Sequence, residues 1–162
     1  MKRFREGYFA IFRGKEFPLD KSGYYGWGLD GKESDKNLGF KPGQNYSPFH
    51  FGFVLPITPD QVESAYRLET WARYKGYDFF VRGYDKENDT YGLSIPWEMS
   101  KELVLHLFGI TRRYGHDDDT PFFKDVEFED IWELRSPIEG FRFVGPEKVY
   151  LKKDGVWLDE FV

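Results

Sequence analysis

The sequence predicts an α+β fold that is mainly β: two tandem, structurally similar small curved-sheet or SH3-like barrel units with short helices, closed by a C-terminal β-hairpin. Three observations carry this. Ten residues near the start, Tyr8-Phe-Ala-Ile-Phe-Arg-Gly-Lys-Glu-Phe17, are echoed by Thr70-Trp-Ala-Arg-Tyr-Lys-Gly-Tyr-Asp-Phe79, with Ala10 meeting Ala72, Arg13-Gly14 meeting Lys75-Gly76 and Phe17 meeting Phe79. Aromatic residues make up 20% of the chain and charged residues 31%, a contrast between inside and outside that argues against disorder. Asp154-Gly155, flanked by Val149 and Leu151 on one side and Val156 and Leu158 on the other, is a strong hairpin signal.

Taken in order, residues 7–13 read as a strand, and Gly14-Lys15 as a tight turn into Glu16-Phe17. Gly23–Leu29 is an aromatic run broken by glycines, a pattern of bulges or tight curvature. Residues 30–47 are polar and turn-rich around Leu38-Gly39-Phe40, and residues 48–57 read as a buried strand. Thr58-Pro59-Asp60-Gln61 is a good helix start, with Thr as cap and Pro at the first position. The echo ends that helix near Leu68 and begins a strand at Thr70. Strands follow over 77–84 and 90–95. Ser100 caps a helix over 101–108, with Leu103, Leu105 and Leu107 facing the core and Gly109 as the stop. A strand over 122–128, a helical turn over 129–134 and the terminal hairpin complete the chain.

Further landmarks repeat in the same order. Tyr25-Gly26 corresponds to Tyr91-Gly92, Ser47-Pro48-Phe49 to Thr120-Pro121-Phe122, and Asp60-Gln61-Val62 to Glu129-Asp130-Ile131. The expected organisation is one compact domain with an internal duplication: residues 1–68, residues 69–140, and a hairpin segment over 141–162.

The 162 residues contain no cysteine, which removes disulfide frameworks and thiolate chemistry. No apolar run follows the charged N-terminus and none approaches a membrane span, so a soluble, cytoplasmic protein is expected. The formal net charge of −5 runs against the basic excess of nucleic-acid binders. Nucleophile elbows, phosphate loops and dinucleotide fingerprints are absent, and no cofactor is expected. His50 reads as a half-buried strand histidine and His106 as a surface one. His116 beside Asp117-Asp118-Asp119 has metal-ligand residue types, but consecutive residues splay around the backbone and do not converge on an ion. No metal site and no enzyme activity are expected.

Charge distribution is more informative. From Asp117 to Glu139 there are nine acidic residues against Lys124 and Arg135, interleaved with Phe122, Phe123, Phe128 and Trp132. An acidic surface with aromatic anchors suits a cationic partner, since charge sets encounter and aromatics supply affinity; a solvated face over an ordinary core is the plainer alternative. The partner-binding residues so assigned are Asp117, Asp118, Asp119, Glu127, Glu129, Asp130, Trp132 and Glu133.

The repeated Tyr-Lys-Gly-Tyr-type hairpin segments at 8–17 and 70–79, in a small, acidic, cysteine-free chain, resemble small proteins of Gram-positive bacteria, among them immunity proteins of contact-dependent or secreted toxin systems. The resemblance implies a cytoplasmic protein that neutralises a cationic toxin domain, such as a nuclease, by occlusion. It carries no functional residue over. Two other readings stand beside it: a small-ligand or nucleic-acid-binding barrel that uses Tyr24, Tyr25 and Trp27, and an enzyme with a carboxylate pair.

Overall fold

Alternating burial along Tyr8–Phe12 and Lys15–Leu19 sets the pattern of the whole chain: Ala10, Phe17 and Leu19 are buried while Arg13, Gly14, Lys15 and Pro18 stay exposed. The structure is a computed structural model that describes residues 4–48, 50–110, 122–123 (backbone only) and 126–158. Among these residues the chain forms twelve strands, one α-helix and three 3-10 segments. The fold is mainly β, and its described pairings are antiparallel and open. The chain divides into two compact units, one of Glu6–Leu68 with Arg135–Glu147, the other of Met1–Arg5, Glu69–Leu134 and Lys148–Val162.

In the first unit, β1 (Gly7–Phe12), β2 (Lys15–Ser22), β3 (Gly26–Gly31), β5 (Phe53–Pro56) and β4 (Lys41–Pro42) are hydrogen-bonded in that order, and the start of β6 (Ser64–Tyr74) pairs with the other edge of β1. The core holds Ala10, Phe17, Leu19, Leu29, Phe40, Ile57, Val62, Ala65 and Phe141. Residues 30–47 are less irregular than their composition suggests. Asp35 caps a 3-10 segment, Glu33–Leu38, by accepting from the Lys32 N–H, and also holds the Lys15 ammonium at 2.9 Å.

In the second unit the end of β6 pairs with β7 (Tyr77–Asp85), β7 with β8 (Thr90–Ser94) and β8 with β9 (Phe122–Phe123). On the other side of β6 follow β10 (Asp130–Pro137), β11 (Glu147–Lys153) and β12 (Val156–Trp157). Ala72, Phe79, Val81, Leu93, Leu107, Phe128, Ile131 and Leu151 are core residues here. Helix α1 (Lys101–Phe108) is bounded as its sequence predicts: the Ser100 side chain accepts from the Leu103 N–H, and Gly109 stops the helix at φ 68°.

Several expectations are corrected. Only Pro59–Gln61 is helical after Thr58, and β6 runs unbroken from Ser64. Gln61 does return to the Thr58 N–H, as the start signal requires, but the following residues bury Tyr66, Leu68, Thr70 and Ala72 at alternate positions. A period of two outweighs a local cap. Residues 129–134 likewise enter strand β10 and form no helical turn. On α1, Val104 and Leu107 are buried and Leu105 is 54% exposed, so Leu105 is not a core position. The strand expected over 122–128 is confined to Phe122–Phe123, and the buried strand expected over 48–57 to Phe53–Pro56.

Candidate binding site

The segment assigned to the partner surface does not present itself as one face. Asp117, Asp118 and Asp119 lie outside the described residues. Asp130, Trp132 and Glu133 are buried, at 8%, 5% and 3% exposure, which corrects their assignment as surface contacts. Each is occupied within its own unit. Glu133 takes both ends of the Arg5 guanidinium, at 2.9 and 3.1 Å. Trp132 lies beneath Arg73 and Lys148, the Lys148 nitrogen 4.0 Å from the ring centroid. Asp130 accepts from the Asp154 N–H at the tip of the β11–β12 hairpin, and Glu129 from the Lys75 N–H at the tip of the β6–β7 hairpin. Of the described residues in the assignment, Glu127 alone is fully exposed, with Lys152 3.3 Å away.

A different group of acidic and aromatic side chains meets on the outer face of β2, β3 and β5. Residues directly opposite in a ladder share a face. Asp20 pairs with Gly28 and Gly28 with Pro56; two residues along, Asp30 pairs with Val54. Asp20 and Asp30 therefore stand on one face, diagonal to each other, ~7–8 Å apart by the geometry of such pairs. Leu29, between Gly28 and Asp30, points into the core.

Two glycines, one in β3 and one before the His50 loop, make room for what covers this face. A Cβ on Gly28 would sit 2.5 Å from the Tyr25 ring, so that ring lies flush over the strand between the two carboxylates. A Cβ on Gly43 would sit 2.0 Å from the His50 ring. The loop carrying His50 is folded back by the Gly43 N–H donating to Gly52 and the His50 N–H donating to Ser47. His50 Nε2 then lies 3.5 Å from Asp30 Oδ1, and Tyr46 meets Tyr25 edge to face at 5.6 Å. Val54 is wholly buried.

The electrostatics follow from this covering. Burial pushes the Asp30 carboxyl above its ordinary range; nearby His50 opposes that shift and Asp20 adds to it. Burial also raises the Tyr25 phenol, with Asp30 and Asp20 reinforcing the effect. Among the described residues no Lys or Arg side chain pairs with Asp20 or Asp30. Tyr24 and Phe51, chain neighbours of Tyr25 and His50, are exposed by 66% and 82%.

Sequence reasoning takes Tyr24 and Tyr25 as exposed and places Trp27 with them. Trp27 instead packs against the core, edge to face with Phe141 at 5.1 Å. Asp20 and Asp30 escape such reasoning, because their shared face depends on the β2–β3 register. The alternate glycines of Gly26–Gly31 are the available signal. His50 is half-buried, as its flanking phenylalanines suggest.

A shallow groove of about 460 Å³ between Phe12, Leu55, Ile57 and Gln61 lies in the same unit. Its carboxylate, Glu63, is already held by the Gly14 N–H at 2.8 Å. The described residues contain no helix long and apolar enough to cross a membrane and no cluster of three or more metal-ligating side chains. Comparison with protein-family models, curated proteins and solved structures finds no match.

Proposed function

We propose that this chain is a non-enzymatic binding protein of the immunity type, which neutralises a cationic toxin domain in the cytoplasm by covering it. The acidic, aromatic-containing surface is the outer face of β2, β3 and β5, and residues 129–133 are scaffold. The supporting observation is the pair Asp20 and Asp30, set on one face around Tyr25 without a Lys or Arg partner among the described residues. Carboxylates left in this state repel phosphate, which disfavours the nucleic-acid reading, and attract basic protein surface. Tyr24 and Phe51 supply exposed aromatic area of the kind that anchors interfaces.

The test is capture from the native cell with the wild-type chain as bait, followed by binding of the purified basic partner to variants. Asp20→Lys/Asp30→Lys and Tyr24→Ala/Phe51→Ala are each expected to lose the partner while keeping the wild-type circular dichroism. Undiminished binding by both variants sinks this surface. Charge reversal of Asp117–Asp119, compared in parallel, reports whether that acidic stretch also contributes.

The internal duplication is proposed on the same footing, as two similar curved-sheet units. Three parallels support it. Ala10 pairs with Phe17 as Ala72 pairs with Phe79, all four buried. Arg13-Gly14 and Lys75-Gly76 both turn in the left-handed region, at φ 50°, 76°, 49° and 83°. The Glu63 N–H donates to the Ile11 carbonyl as the Glu129 N–H donates to that of Arg73. The outer-face cluster is not repeated in the second unit: Tyr91-Gly92, the counterpart of Tyr25-Gly26, is buried.

A further inference from the structure

We propose that the outer-face cluster is a guanidinium site, in which one arginine side chain of the partner lays its plane over Tyr25 and spans Asp20 and Asp30. The inference rests on the binding-protein reading and adds the chemical group recognised.

The geometry selects among cations. The two carboxylates lie on a diagonal of one sheet face with an aromatic ring between them. A guanidinium presents several N–H donors in a planar fork, and so can reach two separated carboxylates while stacking on the ring. A lysine ammonium is a compact point charge that would favour one carboxylate or the other. Asp30 is also partly desolvated: its side chain is 40% exposed, under a loop that buries Val54 completely. A weakly hydrated guanidinium loses less on entering such a place than an ammonium does. A divalent ion is a poorer match, since no group of three ligating side chains converges among the described residues.

The other charged and titratable groups on this face are compatible with a visiting cation. His50 touches Asp30 from the 43–52 loop, and Tyr46 meets Tyr25 from the same loop. Lys41, opposite Val54 on β4, shares the face at a distance of two strands from Asp30, ~10 Å. Lys21 lies on the other side of β2, over the Trp27 ring.

The experiment is an NMR titration of the full chain at pH 7 with Nα-acetyl-arginine amide, its lysine counterpart and its neutral citrulline isostere. Arginine is expected to shift Gly28, Asp30 and His50 saturably, lysine to bind about threefold more weakly or worse, and citrulline to leave them unmoved. Asp30→Asn is expected to weaken arginine binding about tenfold, the scale of one partly buried charge contact. Gly28→Ala, which drives Tyr25 from its seat without touching either carboxylate, should weaken it as well. Equal response to citrulline, or arginine binding undiminished by Asp30→Asn, overturns the site. Arginine binding by a chain for which no basic partner can be captured leaves the site standing and removes the immunity reading. A captured partner indifferent to Asp30→Asn does the reverse.

Discussion

Asp30 and Asp35 are five residues apart and face opposite electrostatic situations. Burial raises the Asp30 carboxyl pKa, whereas the Lys32 N–H first, and then Lys15, lower that of Asp35. The signs of their pH dependence therefore differ. A raised folded pKa makes Asp30 a growing liability as pH rises from the unfolded value, ~3.9, through the folded one. A lowered pKa makes Asp35 a source of stability that is present above ~3.9 and lost as pH falls through its folded value. Urea titrations should find Asp30→Asn more stable than wild type at pH 7 and Asp35→Asn less stable, with both differences shrinking toward pH 3. A carboxylate whose removal stabilises the fold while weakening binding is the signature expected of a functional residue. The glycines belong to the same scale. Gly43→Ala is expected to displace the His50 ring and move its imidazole resonances, since no Cβ can sit 2.0 Å from a ring carbon.

Among the elements, the hairpins are written most plainly in the sequence. Arg13-Gly14, Lys75-Gly76 and Asp154-Gly155 all adopt the left-handed pair that a two-residue turn demands, and each has a glycine in the second place. Helix α1 is equally legible, because its cap and its stop are both local. Ser100→Ala should cost about 1 kcal/mol, measured as a shift in the denaturation midpoint. Local signals mislead in the stretches where long-range pairing decides. Thr58–Gln61 carries a full helix start, yet the chain turns extended at once because β1 offers an open edge to Ser64–Leu68. Glu129–Leu134 looks like a surface turn because it is rich in acids. Those acids serve the hairpin tips and Arg5, partners 54 and 128 residues away in the chain for Glu129 and Glu133. Glu129→Gln should therefore cost stability, about 1 kcal/mol for a weakened bond to a charged acceptor, and should leave partner binding unchanged.

Over the whole molecule, composition and periodicity are enough for the class, mainly β with few helices, and for a charge that leans toward basic partners. They are not enough for the site. A run of acids counted along the chain says nothing about which are spent internally, and Asp130 and Glu133 are spent so. Asp20 and Asp30 stand out in no such count, because nine residues separate them and only the β2–β3 register sets them on one face. For the intact protein, association with the basic partner is expected to slow and weaken steeply with added salt. Stopped-flow measurements at low and high ionic strength would check this; a salt-independent rate would mean that exposed aromatics, not carboxylates, guide the encounter.

The glutamates that hold the hairpin tips have a consequence for how the chain reaches this fold. Glu63 and Glu129 close on Gly14 and Lys75 across 49 and 54 residues, contacts far more distant in sequence than the turns they secure. Each hairpin can zip early on its own glycine turn, but its latch must wait until most of a unit has collapsed. Chains dominated by such non-local pairings fold slowly, over roughly milliseconds to seconds. Replacing either glutamate by glutamine should thus hasten unfolding while leaving the folding limb of the chevron nearly in place.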